Sequence, residues 1–188
     1  VLVVREDSDQ MRRYVHIGTG NYNSTTARMY EDIGFFTCEE AIGADATELF
    51  NYLTGYAREP DYQRLFVAPH QLRPKLIELI KGEAAFKEAG HITIKLNSIS
   101  DPAIIEALYA ASNVGVKIEL IVRGICCLRA GVPGMSENIT VRSILGRYLE
   151  HSRIYRFAHG FDDESPLHLI GSADLMGRNL DGRVEVLV

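Results

Sequence analysis

Glu150-His-Ser-Arg-Ile-Tyr-Arg-Phe157, a polar turn, then His168-Leu-Ile-Gly-Ser-Ala-Asp-Leu-Met-Gly-Arg-Asn-Leu-Asp-Gly-Arg183 is the stretch on which the fold turns. Its apolar positions, Ile154 and Phe157 in one run and Leu167 and Leu169 in the other, read as neighbouring strands. The mouth of each strand carries groups suited to an anion. His151 and Arg153 stand two residues apart, so on a strand they point to one face. Gly171, Ser172, Ala173 and Asp174 follow the second strand, and such small residues let backbone N–H groups come close to a phosphate. Arg178 and Arg183 come soon after.

The same plan stands near the N-terminus. Tyr14-Val-His-Ile-Gly-Thr-Gly-Asn21 leads to Thr26-Ala-Arg-Met-Tyr-Glu-Asp-Ile-Gly-Phe35, as Leu167-His-Leu-Ile-Gly-Ser-Ala-Asp174 leads to Arg178-Asn-Leu-Asp-Gly-Arg-Val-Glu-Val186. In both, an apolar strand ends in Ile-Gly-(Thr/Ser), passes a loop containing Asn or Asp and an Arg, and enters another apolar strand. One supersecondary unit used twice implies a pseudo-twofold site.

Composition narrows the classes. A net charge of −5 over 188 residues argues against a generally basic nucleic-acid binder, so an anion site has to be made from local arginines. The 46% of apolar residues is ample for a core, and no apolar run reaches membrane-spanning length. Three cysteines, with Cys126 and Cys127 adjacent, give neither a disulfide framework nor a metal-ligand spacing, and suit a reducing cytoplasm. Val1-Leu-Val-Val-Arg5 reads as the middle of a strand, without an initiator Met or signal peptide, so the chain is expected to be a piece of something longer.

Along the chain, 1–5 and 12–17 read as a strand hairpin ending in Gly18-Thr-Gly-Asn21. That loop is either an ordinary turn or, with Asn23, Ser24, Thr25, Thr26 and Arg28 behind it, part of a phosphate site. His16 is favoured as a structural histidine. A short helix is expected over 45–56, capped by Asp45 and striped by Ala46, Leu49, Phe50 and Leu53, with a boundary at Glu59-Pro-Asp61. Next come a strand at 65–68, a helix at 71–87, a strand at 91–96, a helix opened by Asp101-Pro102 and closed by Gly115, and a strand at 116–122. This alternation predicts an α/β sheet flanked by helices. Residues 62–188 then form a second domain and 1–57 the end of a preceding one. A further strand is expected at 139–144, then a helical turn at 145–149 that delivers His151.

Open α/β sheets place ligands at strand ends. Lys95 and Asn97 share a face at one such end, and Arg123-Gly124 ends the next strand; Arg123 is either a surface residue or a guanidinium reaching into a site. Asn97, Arg123, His151, Arg153 and Ser172 are expected to converge on one cleft. Residues 125–138 form a long loop with Arg129 and a Gly-Val-Pro-Gly turn, of the kind often found at sites. Packing is the plain reading of Tyr30, and a satisfied histidine at a helix end that of His151.

Val15-His-Ile-Gly-Thr-Gly-Asn-Tyr-Asn23, Thr26-Ala-Arg-Met-Tyr30, Val122-Arg-Gly-Ile-Cys126, Gly131-Val-Pro-Gly-Met-Ser-Glu-Asn138, Tyr148-Leu-Glu-His-Ser-Arg153 and Gly171 to Glu185 together resemble the C-terminal catalytic half of the large bacterial-type polyphosphate kinases. The resemblance covers essentially the whole chain, in order. It implies a phospholipase D-like fold: a mixed sheet flanked by helices, with a pseudo-twofold repeat whose first copy is incomplete here. Arg153 stands where that superfamily has Lys.

The resemblance also implies an enzyme: reversible transfer of the terminal phosphate of ATP to inorganic polyphosphate through a phosphohistidine, with Mg²⁺. The family's nucleophilic His, in a Lys-Thr-His-Ala-Lys motif, precedes the strand with which this chain starts, and the Arg residues it uses near magnesium are also upstream. No metal ligand is therefore assigned within the chain, and the isolated chain is expected to be inactive. Tyr30, Arg123 and His151 match nucleotide-site positions. His151 is the catalytic candidate, the partner His across the pseudo-twofold, expected to protonate or hold the leaving phosphate; an unperturbed imidazole pKa of about 6.5 suits such a general acid. Asn21, Arg28, Asn97, Arg153, Ser172 and Arg178 are candidates for phosphate or polyphosphate. ATP/ADP and polyphosphate are the implied partners, with no nucleic acid. The whole protein is expected to be a cytoplasmic homo-oligomer, with peripheral membrane association left open. A phospholipase D-like phosphodiesterase or nuclease is the first alternative, although it would want Lys in place of Arg153 and Asn in place of Asp174. A non-catalytic polyanion-binding module is the other.

Overall fold

The computed structural model describes residues 1–8, 10–56, 58, 61–160 and 165–188. Strands β1 (Leu2–Asp7) and β2 (Gln10–Gly18) open the chain, followed by β3 (Tyr30–Glu31), β4 (Gly34–Thr37) and helix α1 (Glu40–Leu53). Then come β5 (Phe66–Val67), α2 (Leu72–Ala84), β6 (His91–Leu96), α3 (Pro102–Asn113) and β7 (Lys117–Val122). The last part holds β8 (Ile139–Arg142), β9 (Leu149–Glu150), β10 (Ile154–Phe157), β11 (Leu167–Ile170), the single-turn helix α4 (Gly177–Leu180) and β12 (Val186–Leu187). Glu59 and Pro60 of the expected boundary lie outside the described residues.

The main sheet has the order β11-β10-β6-β7-β8 and is mixed. β6, β7 and β8 run parallel, β10 runs antiparallel to β6, and β11 antiparallel to β10. β6 shows strict alternation, with Ile92, Ile94 and Leu96 buried and Thr93 and Lys95 half-buried. Leu72 and Leu76 of α2 and Ile104 and Leu108 of α3 belong to the same apolar core. Asp101 caps α3 by accepting from Ile104 N at 3.0 Å, Pro102 follows at the first helical position, and Gly115 takes φ +106° just beyond the end.

The first half forms an antiparallel sheet of order β1-β2-β4 with α1 against it. Helix α1 starts a turn earlier than expected, and Asp45 lies buried inside it. Its carboxylate takes the backbone N–H groups of Gln63, Arg64 and Leu65 at 3.1, 2.7 and 3.0 Å, so it terminates an incoming segment and not its own helix. The buried face is Ile42, Ala46 and Leu49, which join Val15, Tyr62, Leu65 and Val67 in a second apolar cluster, while Phe50 and Leu53 are exposed. Asp45→Ala strands those N–H groups and should cost about 2–4 kcal/mol in urea unfolding, since hydrogen bonds to a charged acceptor contribute roughly 1.5–3 kcal/mol each and part is regained through water.

One short pairing stitches the halves. β3 pairs with β9 in parallel, Tyr30 opposite Leu149 and Glu31 opposite Glu150. The expected helical turn over 145–149 is absent because this pairing, with Leu149 N donating to Met29 O at 2.8 Å and His151 N to Glu31 O at 3.0 Å, draws the chain out straight. A second short pairing, β5 with β12, lies within the second half and seats the C-terminal strand.

Candidate functional site

Sheet direction explains which residues meet. β6 and β7 end at Leu96 and Val122, which are register partners, so Asn97 and Arg123 emerge at one edge. β10 runs the opposite way, with Ile154 opposite both Lys95 and Ile170, so His151 to Arg153 enter and Ser172 to Asp174 leave at that same edge. Asn97, Arg123, His151, Arg153, Ser172 and Asp174 line one polar cleft of about 440 Å³, joined by Thr19 and Asn21 from the first half and by Arg178 and Arg183. The expected convergence of Asn97, Arg123, His151, Arg153 and Ser172 is therefore what the fold produces.

The repeat is visible in hydrogen bonds. Thr19 N donates to Ile33 O at 2.9 Å and Thr19 Oγ1 accepts from Ile33 N at 2.9 Å. Ser172 N donates to Val186 O at 3.0 Å and Ser172 Oγ accepts from Val186 N at 3.3 Å. Each hydroxyl residue thus clasps the strand returning beside it. This changes the reading of Gly171: a β-carbon there would collide with the Val186 carbonyl, so the glycine admits the return strand and not a phosphate.

An acidic residue precedes each clasped position, and the sequence reading missed both. Asp32 Oδ1 accepts from Thr19 Oγ1 at 2.8 Å and lies 2.9 Å from Nδ1 of His151 in the other half. Glu185 is buried and accepts from Asn179 Nδ2 at 2.6 Å. The signal was an acid directly before the returning apolar strand in both copies.

His151 is 8% exposed, with Tyr30 lying against it at a centroid distance of 4.6 Å. Asp32 draws the proton to Nδ1 and leaves Nε2 as the acceptor nitrogen. Burial first, and the Arg153 charge next, push the pKa of the ring below 6.5 against the opposing pull of Asp32. The general acid expected at neutral pH is thus a neutral imidazole in the unliganded protein. Because the folded value is depressed, the unfolded chain binds the proton first, and stability present above about pH 6.5 is lost as the pH falls toward the folded value. Urea midpoints between about pH 7 and pH 5 should fall more steeply for the unsubstituted protein than for His151→Gln.

Arg153 is buried at 7% exposure and joins both halves. Nη1 donates to Thr19 O at 2.8 Å and His151 O at 2.9 Å, Nη2 to Asp174 Oδ2 at 2.9 Å and Nε to Asp174 Oδ1 at 3.4 Å. All but one of its N–H groups are taken, so it is chiefly a strut. Asp174 also accepts from Asn97 N at 2.7 Å, which fixes the turn after β6. Lys95 leaves the cleft for Ser152 Oγ at 2.6 Å and Glu150 at 3.2 Å.

Tyr30 and Arg28 do not line the polar cleft. They line an adjoining cavity of about 810 Å³ with Tyr148, and Arg123 lines both spaces while donating to Glu150 O at 2.7 Å. His16 bonds Tyr22 Oη at 2.6 Å and packs on Phe36 at 4.2 Å, at the rim of a largely apolar cavity. Among the described residues no group of His, Cys, Asp and Glu is placed to hold a metal ion, and Asp174 and Glu185 are committed to Arg153 and Asn179. These residues do not make a magnesium site. No helix among those described is long and apolar enough to cross a membrane.

Family models match nearly the whole length: the polyphosphate kinase C-terminal domain 1 over residues 1–59 and the polyphosphate kinase C-terminal domain 2 over residues 65–188. The chain belongs to the polyphosphate kinase family. It is 55% identical over 190 residues to a polyphosphate kinase of Thermosynechococcus vestitus, covering 100% of this chain and 26% of that protein. With a polyphosphate kinase of Mycobacterium marinum the identity is 56% over 193 residues, covering 99% and 26%. The crystal structure of polyphosphate kinase from Porphyromonas gingivalis superposes with a TM-score of 0.87 at 37% identity, over 99% of this chain and 28% of that one. The chain thus spans about a quarter of the length of the polyphosphate kinases it matches.

Proposed function

We propose that this chain supplies half of a composite site that moves the terminal phosphate of ATP reversibly to inorganic polyphosphate through a phosphohistidine. The observation that carries the reading is a depressed-pKa histidine, held by a carboxylate of the other half, beside arginines in a polar cleft. A phosphoryl group in flight spreads charge over its equatorial oxygens, so catalysis is chiefly positioning and charge neutralisation. Arg123, Arg178 and Arg183 supply permanent charge there. An arriving polyanion raises the pKa of His151, so the ring takes up a proton as the phosphates bind and donates it from Nε2 to a phosphate oxygen.

The nucleophilic imidazole lies outside this chain. Its nitrogen forms a bond to the terminal phosphorus as the bond to the ADP oxygen breaks. A terminal polyphosphate oxygen then displaces it. Tyr30 and Arg123 hold the nucleotide, with the nucleoside in the adjoining cavity, and Asn21, Asn97 and Ser172 line the phosphate path. Arg28, in the adjoining cavity, serves the nucleotide instead of the polyphosphate. A magnesium ion accompanying the nucleotide would have to be held by residues outside this chain, where it would neutralise phosphate charge. The whole protein is proposed to act as a cytoplasmic homo-oligomer.

The test uses ATP labelled at its terminal phosphate, given to this chain and to a full-length polyphosphate kinase carrying it. Acid-labile label is expected on the full-length protein only. Label on the chain itself would place the nucleophile at His16 or His151 and sink this division of roles.

A further inference from the structure

The cleft holds two arginines, Arg178 and Arg183, that have no hydrogen-bond or ion-pair partner among the described residues, and both ride on the short segment 177–185. That segment begins firmly: Leu175 O accepts from Ser100 N at 2.8 Å and Asp101 N at 3.0 Å, and Leu180 is fully buried. Its far end is anchored too, with Glu185 O accepting from Ala68 N at 2.9 Å. Its middle is gripped from outside the cleft: Asp181, exposed just past α4, receives Nη1 and Nη2 of Arg73 at 2.5 and 2.7 Å.

Arg73 is in the first turn of α2 and does not line the cleft. The same guanidinium donates from Nε and Nη2 to Asp101 Oδ2 at 3.1 and 2.8 Å. Asp101 is the buried cap of α3, and its turn carries Asn97 and Ser98 into the cleft. One side chain therefore ties two cleft loops together from behind. Only a permanently charged fork suits that place, because it must neutralise two carboxylates at once, and the carboxyl of Asp181 is drawn below its usual range chiefly by the Arg73 hydrogen bond.

We propose that Arg73 is a positioning residue for polyphosphate: through Asp181 and Asp101 it fixes the stance of Arg178 and Arg183 against Asn97. This rests on the reading of the cleft given above. The segment stays attached through Leu175 and Leu180 when the clasp is cut, so the loss falls on the grip of the polyanion.

The experiment measures ATP formation from ADP and polyphosphate by a full-length polyphosphate kinase carrying this segment, with Arg73→Met, Arg73→Lys, Asp181→Asn and the Arg73→Met/Asp181→Asn pair. The KM for polyphosphate should rise roughly tenfold in each single variant, with kcat within about twofold, the scale for a misplaced binding group. The pair should be no worse than Arg73→Met, and lysine should not rescue. Asp181→Asn, at an exposed position, decides the matter alone if the Arg73 variants do not accumulate. A lowered melting temperature with KM unchanged would overturn the proposal and leave a structural clasp. Failure of the unsubstituted enzyme to use polyphosphate would overturn the reading of the cleft and this role with it.

Discussion

Replacing Arg153 with methionine is expected to destabilise the fold by about 3–5 kcal/mol, the scale for breaking a buried ion pair by removing one partner. The substitution leaves the Asp174 carboxylate charged and buried, and strands the carbonyls of Thr19 and His151. Removing the second charge as well, in Arg153→Met/Asp174→Asn, should recover part of the loss, because the largest penalty is the uncompensated charge and not the absent attraction. Urea unfolding of the three forms gives the comparison. Equal midpoints for Arg153→Met and the unsubstituted protein would show that water reaches this pair. Lysine should also fail here, since a single ammonium cannot serve acceptors that lie on both sides of a planar fork. That is a structural reason for arginine at this position.

Turnover should fall at least ~100-fold in His151→Ala when placed in a full-length polyphosphate kinase, the scale for losing a general acid–base group. At constant temperature this corresponds to about 2.7 kcal/mol of transition-state stabilisation. Asp32→Asn is the informative companion. It keeps the ring but removes the charge that sets its tautomer, and should cost ~10- to 100-fold, the range for groups that orient an imidazole. Initial rates at saturating ATP are the measurement. A fully active Asp32→Asn enzyme would mean that the ring is oriented by Tyr30 packing alone.

The legible parts of the fold are those whose signals are local. Asp101-Pro102 and Gly115 bracket α3 because a cap, a fixed φ and a left-handed glycine act within a few residues of themselves. That β10 and β11 are neighbouring strands followed from their alternating apolar residues, and with it the edge where the candidate site gathers. Misread positions have distant partners. Asp45 looks like a helix cap until Gln63 to Leu65 arrive to use its carboxylate. Residues 145–149 look helical until Tyr30 and Glu31 pair with their end. Asp32 could be found only as the acid repeated before each returning strand, and its role could not be read locally, because it depends on a histidine 119 residues away.

That separation has a consequence for synthesis. A chain emerging from the ribosome presents Asp32 long before His151 exists, and the β3–β9 pairing that aligns them closes a large loop. Non-local pairings of this kind form late, after local helices and hairpins. The imidazole therefore acquires its working tautomer only when the two halves have met. A half-folded molecule, whatever arginines it already holds, has no oriented histidine at the cleft until assembly is complete.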